Sequence, residues 1–263
     1  MKNILETISA HARQRVTEAE KTVSREEMKA LALSRNCQTD FPFEKALSGR
    51  DMAFICECKK ASPSKGVIAE DFPYLSIAKD YERAGAACIS VLTEPKWFLG
   101  KNEYLSEIAA AVSIPCMRKD FTVDDYMIYE AKTLGASAVL LICALLNTET
   151  LRRSIALCDS LGLSALVEAH DEEEIHSALK AGARIIGINN RNLKDFTISL
   201  DNSRRLRKLV PESVLFVAES GIHSAEDIEA LREARVDAVL VGEALMRAAD
   251  KKAMLEDLRG TVK

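Results

Sequence analysis

Short, solidly apolar runs alternate with amphipathic stretches along most of the chain. Eight runs rich in β-branched residues read as strands: Ala53–Cys58, Cys88–Leu92, Pro115–Arg118, Ala138–Cys143, Ser164–Val167, Arg184–Ile188, Val214–Ala218 and Ala238–Val241. Apolar and polar positions do not alternate within them. Both faces of each strand must then be buried, as in a parallel sheet covered by helices. Between the strands, Tyr74–Ala84, Val123–Leu134, Thr148–Leu161, Asp171–Ala181 and Ser224–Arg235 carry a helical period. Asn147-Thr148-Glu149 and Asp171-Glu172-Glu173 place capping residues at two of the starts. Ahead of the first strand, Asn3–Glu20 and Ser24–Ala32 read as charged helices packed outside the sheet, with one mouth as the place for them to cover.

A faint repeat organises these elements. Ala84-Gly85-Ala86, Leu134-Gly135-Ala136 and Ala181-Gly182-Ala183 each close a helix and lead into a strand, and glycine there fits a left-handed C-cap. Ala234-Arg235-Val236 holds the equivalent place without glycine. The period of about 50 residues is long enough for two βα units. Four double units make eight, so the predicted fold is α/β, a (β/α)8 TIM barrel with extra N-terminal helices. The rival is an open, doubly wound sheet, which usually carries G-x-G-x-x-G after its first strand. Here Lys59-Lys60-Ala61-Ser62-Pro63-Ser64 follows instead. The expected organisation is one domain over residues 1–263, with 1–45 as a helical extension.

Composition narrows the function. The 263 residues are 48% hydrophobic, enough for one sizeable core. Lys and Arg number 36 against 40 Asp and Glu, so the basic excess of nucleic-acid binding is missing and no nucleic-acid partner is expected. The longest apolar stretch, Ala138 to Leu146, is strand-sized, well short of the roughly 18 residues of a membrane span. The N-terminus has no apolar signal core, so a cytoplasmic protein is expected. Cys37, Cys56, Cys58, Cys88, Cys116, Cys143 and Cys158 form no C-x-x-C pair and read as buried reduced thiols. His11, His170, His176 and His223 lack metal-ligand spacing, so no metal site is predicted.

In a (β/α)8 barrel the chemistry lies at the C-terminal ends of the strands. Those ends carry Glu57-Cys58-Lys59, Arg118-Lys119-Asp120-Phe121, Glu168, Asn189-Asn190-Arg191, Glu219-Ser220-Gly221 and Gly242-Glu243. Period-two geometry puts Glu57 and Lys59 on one face and Cys58 on the other. Charges aimed into a barrel are costly unless paired or solvated in a ligand pocket. The plainer reading is a set of solvated rim charges or internal ion pairs, but so many convergent strand ends exceed what packing needs. The turns Ser220-Gly221 and Gly242-Glu243, after strands 7 and 8, suit a phosphate held by backbone N–H groups, with Ser62 as a further donor. Glu243 is an awkward phosphate neighbour unless its side chain points away. Arg191 suits a carboxylate.

The run Glu57-Cys58-Lys59-Lys60-Ala61-Ser62-Pro63-Ser64-Lys65-Gly66 resembles the signature of the indole-3-glycerol-phosphate synthases. The likeness continues through Leu92-Thr93-Glu94, Phe98-Leu99-Gly100, Arg118-Lys119-Asp120-Phe121, Val167-Glu168, the block from Gly187 to Leu193, Ala218-Glu219-Ser220-Gly221-Ile222 and the block from Val241 to Met246. The Ile4-Leu5 start of the first helix is also similar. The resemblance implies a decarboxylating, dehydrating ring closure of 1-(2-carboxyphenylamino)-1-deoxyribulose 5-phosphate in tryptophan biosynthesis, without metal or organic cofactor. It implies Lys119 as general acid, Glu168 in the later proton transfers, and Lys59, helped by Glu57, as the group that positions substrate and stabilises charge. Asn189 and Glu219 would line the pocket, and Arg191 with Lys59 would meet the substrate carboxylate. Ser62, Ser220, Gly221, Gly242 and Glu243 would hold phosphate, the last two mainly through backbone groups. Phe98 and Phe121 would pack on the aromatic ring. Lys101 stands where many relatives carry serine, and Trp97 where another aromatic is common, both in the loop after strand 2.

A lysine donor works best with its pKa lowered toward neutrality. Burial and nearby Lys59 are expected to lower that of Lys119, with Glu57 opposing. Two alternatives stay open on sequence alone. One is a barrel isomerase of the phosphoribosylanthranilate type, which would not need the Glu57 and Lys59 pair. The other is a non-catalytic phosphate-binding barrel, which would not need Lys119, Glu168 and Lys59 together. Either would still take a small sugar phosphate, and a monomer is compatible with the sequence, which does not itself fix the oligomeric state.

Overall fold

A computed structural model of the chain describes residues 4–49, 51–192 and 197–260. Asn3, at the start of the predicted first helix, and Leu193, in the resemblance block, lie outside the described residues. The strands are β1 (Ala53–Cys58), β2 (Cys88–Leu92), β3 (Cys116–Lys119), β4 (Ala138–Ile142), β5 (Ser164–Ala169), β6 (Ile185–Asn189), β7 (Leu215–Glu219) and β8 (Ala238–Val241). All pair in parallel with their sequence neighbours, and β1 also pairs with β8, closing the barrel. Closure decides against the open sheet.

Each predicted strand is present, three with the predicted bounds and five with shifted ends. Strands β3, β5, β6 and β7 run past their apolar runs into polar tips. Ladder bonds use the backbone, so they continue where side chains turn polar: Glu168 pairs with Gly187, and Asn189 with Glu219. Ile55, Met117, Leu140, Leu166, Ile185, Val217 and Leu240 fill the barrel interior. Alternate residues such as Phe54, Cys56, Ile89, Val139 and Ile186 pack outward against the helices. Five of the seven cysteines are buried and all are free, while Cys37 and Cys143 are half-buried.

The helices are α1 (Ile4–Ala19), α2 (Arg25–Leu33), α3 (Pro42–Leu47), α4 (Tyr74–Arg83), α5 (Asn102–Ala111), α6 (Asp125–Thr133), α7 (Thr148–Ser160), α8 (Glu172–Ala181), α9 (Asp201–Leu206), α10 (Ala225–Glu233), α11 (Glu243–Arg247) and α12 (Lys251–Arg259). Several predicted helices include a capping residue that the structure places just outside, such as Ser24, Asp124, Asp171 and Ser224. The repeat is real in three dimensions. Gly85, Gly135 and Gly182 take positive φ of 80°, 85° and 90°, and Arg235 in the fourth equivalent place takes 59°.

The N-terminal segment covers one mouth, as the sequence suggests, and also reaches the opposite end. Ile4, Leu5 and Ile8 of α1 cover the mouth at the C-terminal ends of the strands. Helix α3, not predicted, inserts the fully buried Phe43 and Leu47 into the opposite end of the barrel. Arg184 at the start of β6 fixes that helix through Glu44, at 2.8 and 2.9 Å.

Candidate active site

A cavity of about 170 Å³ lies inside the mouth. Every residue placed in the site from sequence lines it: Glu57, Lys59, Ser62, Phe98, Lys119, Phe121, Glu168, Asn189, Arg191, Glu219, Ser220, Gly221, Gly242 and Glu243. Parallel strands make this convergence simple, because their last inward-facing positions meet at one level.

Lys119 is the hub. Its Nζ lies 3.5 Å from Glu168 Oε2 and 3.5 Å from Glu219 Oε2. Lys59 Nζ donates to Glu57 Oε1 at 2.6 Å, so the two same-face residues of β1 pair as their spacing implies. Asn189 Nδ2 donates to Glu168 Oε1 at 3.4 Å, while its Oδ1 accepts from Ser220 Oγ at 3.0 Å.

The expectation that the Lys119 pKa is lowered does not hold. Burial does push it down, but Glu219, Glu168 and Glu57 outweigh burial and raise it. Lys59 is committed to Glu57 rather than acting as an unpaired cation against Lys119. Burial raises the Glu219 carboxyl to about 7, with Glu168 and Glu57 adding to the rise and Lys119 opposing it. Burial would also raise Glu57, but Lys59 and Lys119 overcome it and hold that carboxyl below its ordinary value. One site thus holds two carboxyls driven in opposite directions.

Two glycines make room for these charges. A Cβ on Gly187 would collide with Glu219 Oε1, a buried oxygen without a hydrogen-bond partner. A Cβ on Gly242 would collide with Glu57 Oε1 and sit 3.1 Å from Lys59 Nζ. Gly242, which sequence reading gave to phosphate, therefore also accommodates the charged pair.

The side predicted to take an anion is built from turns. Ser220 and Gly221 take successive positive φ of 68° and 83°. A side chain at Gly221 would also strike Ile198. Asn190 braces the turn: Nδ2 donates to Ser220 O at 3.2 Å, and Oδ1 accepts from Ser203 Oγ at 2.7 Å. Ser62 is buried in a short antiparallel pair, Ala61–Ser62 with Gly66–Val67. The Glu243 carboxylate faces Lys65 at 3.4 Å and Arg247 at 3.2 Å, so cations already occupy it.

Phe98 and Phe121 stand with ring centroids 6.0 Å apart. The buried carboxylate of Glu94 holds the loop of Phe98 by accepting from the N–H groups of Lys96, Trp97 and Phe98 at 3.1, 2.7 and 3.1 Å. Helix α1 clasps both aromatic loops. His11 meets the Trp97 ring edge-on at 5.3 Å, and Arg15 grips Asp120 with two bonds of 2.6 and 3.1 Å. Burial would raise the Asp120 carboxyl, but Arg118 and Arg15 hold it below its usual range. Lys101 is the N-cap of α5 and makes no side-chain cap bond.

Sequence reading missed His170, Asn190 and the Arg15–Asp120 clasp. Asp120 and Asn190 were quoted within motifs, but only their three-dimensional partners reveal their work.

A closed parallel barrel with an acid–base cluster at its strand ends is a (β/α)8-barrel enzyme, and the catalytic class is set by relatives. The fold alone is shared with a 3-hexulose-6-phosphate synthase from Salmonella typhimurium, at 14% identity and TM-score 0.65 over 79% of this chain and 96% of that one. It is likewise shared with a thiamine phosphate pyrophosphorylase from Pyrococcus furiosus, at 17% identity and TM-score 0.58 over 79% and 93%.

The model of the family described as indole-3-glycerol phosphate synthase matches residues 5–258, and the chain belongs to that family. The indole-3-glycerol phosphate synthase of Ruminiclostridium cellulolyticum is 56% identical over 258 residues, 98% of this chain and 99% of its own. That of Endomicrobium trichonymphae is 50% identical over 256 residues, 97% and 99%. The family comprises decarboxylating lyases of tryptophan biosynthesis that act on a sugar phosphate, which removes the isomerase and non-catalytic alternatives. Among the described residues no helix is long and apolar enough to cross a membrane.

Proposed function

We propose that Lys119 is the general acid that closes 1-(2-carboxyphenylamino)-1-deoxyribulose 5-phosphate into indole-3-glycerol phosphate. The supporting observation is its ammonium, 3.5 Å from both Glu168 and Glu219 inside the mouth cavity. The ring carbon bearing the carboxylate attacks the ketose carbonyl, whose oxygen takes a proton from Lys119. The raised pKa keeps Lys119 loaded as a donor at neutral pH. An alkoxide forming at the carbonyl is far more basic than an amine and takes the proton readily. Carbon dioxide then leaves and its bonding pair restores the ring. In dehydration the hydroxyl takes a second proton from Lys119 and leaves as water, and Glu168 takes a proton from the carbon beside nitrogen. Glu219, at about 7, suits proton exchange with Lys119 between steps.

The other groups orient the substrate. Arg191 and Lys59 meet the carboxylate, with Lys59 positioned by Glu57, while Asn189 steadies Glu168. Phe98 and Phe121 pack on the aryl ring. Ser62, Ser220 and Gly221, with the backbone of Gly242 and Glu243, hold phosphate. Fixing both ends of one molecule lowers the barrier by orientation, a contribution that can reach about 7–11 kcal/mol in well-aligned intramolecular reactions. All of these residues line one barrel, which supports a single domain with residues 1–45 as its extension. A near-balanced charge supports a small-molecule role without nucleic acid.

Lys119→Ala is expected to lose nearly all single-turnover chemistry, followed by indole fluorescence, while equilibrium titration still detects substrate binding. Glu168→Gln is expected to slow the chemistry and keep phosphate-dependent affinity. Near-normal turnover in Lys119→Ala would reject the assignment.

A further inference from the structure

The ring closure consumes a proton. The carboxylate departs as carbon dioxide without one. The ketose oxygen leaves as water after gaining two protons from the protein, and a single proton returns from the carbon beside nitrogen. One proton per turnover must therefore enter from solvent. The side chains of Lys119, Glu168 and Glu219 are only 15, 4 and 3% exposed.

We propose that His170 is the relay that carries this proton from solvent to Glu168. This rests on the roles assigned above to Lys119 and Glu168. His170 follows Glu168 by two residues, just past the end of β5. Its Nε2 is buried without a hydrogen-bond partner and lies 3.5 Å from Glu168 Oε1. Its Nδ1 is 3.1 Å from Glu174 Oε2 on α8, which also accepts the His170 backbone N–H at 2.7 Å. From α9, Asn202 Nδ2 donates to His170 O at 3.3 Å. The imidazole is 18% exposed and, with Asp171, Glu174 and Asn202, lines an open groove beside the mouth. The ring thus spans the wall between that groove and the cavity.

The charged groups facing the ring are Glu168 from β5, Glu174 from α8 and Glu219 from β7, while α9 contributes the neutral Asn202. Burial alone would lower the imidazole pKa, but these carboxylates reverse the shift and raise it. A ring protonated at Nδ1 and Nε2 can release a proton toward Glu168 and regain one from the groove side. Anchoring the turn after β5 would need only Nδ1 and the backbone. It gives no reason for Nε2 to face Glu168 unpaired.

The test uses the full chain carrying His170→Ala, His170→Gln or Glu174→Gln, with steady-state rates followed against pH. Both His170 variants are expected to lose about tenfold in kcat with KM little changed, in keeping with lost proton transfer. The loss deepens as pH rises, because hydronium becomes scarce. Glu174→Gln keeps the turn and should move the alkaline limb of the rate profile to lower pH. Added imidazole is expected to restore His170→Ala in proportion to its protonated fraction, a response that a purely structural defect would not give. Unchanged kcat across the pH range, or a loss that imidazole leaves untouched, overturns the relay. Lys119→Ala and Glu168→Gln run alongside. If they stay active, the parent mechanism fails; if they are inactive while His170 variants are normal, only the relay fails.

Discussion

Glu219 shows how much a single side chain can cost and supply. Its side chain is 3% exposed, and one oxygen lacks a hydrogen bond. Burial lifts it from an ordinary 4.5 to about 7. Because the folded pKa is the higher one, the native state keeps a proton that the unfolded chain has lost. That contribution is complete below pH 4.5 and disappears as pH rises through about 7. Glu219→Gln is therefore expected to flatten the stability–pH curve in this window by on the order of 2 kcal/mol, read from urea midpoints at several pH values. The same variant should lose turnover if Lys119 needs a titrating neighbour. The sequence made Glu219 legible as a strand-end acid, because strand period and barrel logic are local rules. Its protonation was not legible, nor was that of Lys119, because both depend on carboxylates contributed by distant strands. His170 escaped notice for the same reason, since nothing in its spacing says that Glu168 lies across from it.

Among elements, α1 has the most conditional hold. It is anchored at its middle by Arg15 on Asp120 and by His11 on Trp97, and its first turn covers the mouth. Asp120 is fully buried, so Arg15→Ala would leave Thr93, the Phe121 N–H and Arg118 to hold that charge. The expected loss is about 2 kcal/mol, below the range for a deeply buried pair because the Arg15 side chain is 23% exposed. Hydrogen exchange across α1 should quicken, and KM should rise more than kcat falls. Unchanged exchange would show that apolar packing alone seats the helix. The long amphipathic helices were readable because an apolar stripe is a pattern within one segment. Helices α3, α9 and α11, of five or six residues, were not. Too short for a helical period to emerge, they are stabilised by what they touch. The strand tips at Glu168 and Asn189 were misjudged because backbone pairing ignores side-chain polarity.

At the scale of the molecule, the barrel divides its labour between its two ends. Phe43 and Leu47 seal one end with apolar bulk, and the charged cluster occupies the other. Phe43→Ala should cost about 3–5 kcal/mol of stability while kcat stays near normal, a split visible by pairing urea denaturation with the fluorescence assay. A large fall in kcat in folded protein would mean that the ends are coupled. Fold class was legible from the unalternating strands, and so was the location of the site; the division between ends was not, because α3 gave no sign of where it docks. Gly187 and Gly242 carry a wider implication. Their missing methyl groups are vacated volume that Glu219 and Glu57 occupy. Transplanting the lysines and glutamates into another eight-stranded scaffold would therefore fail if bulk remained at these two places. The chemistry has to be engineered by subtraction as well as by addition.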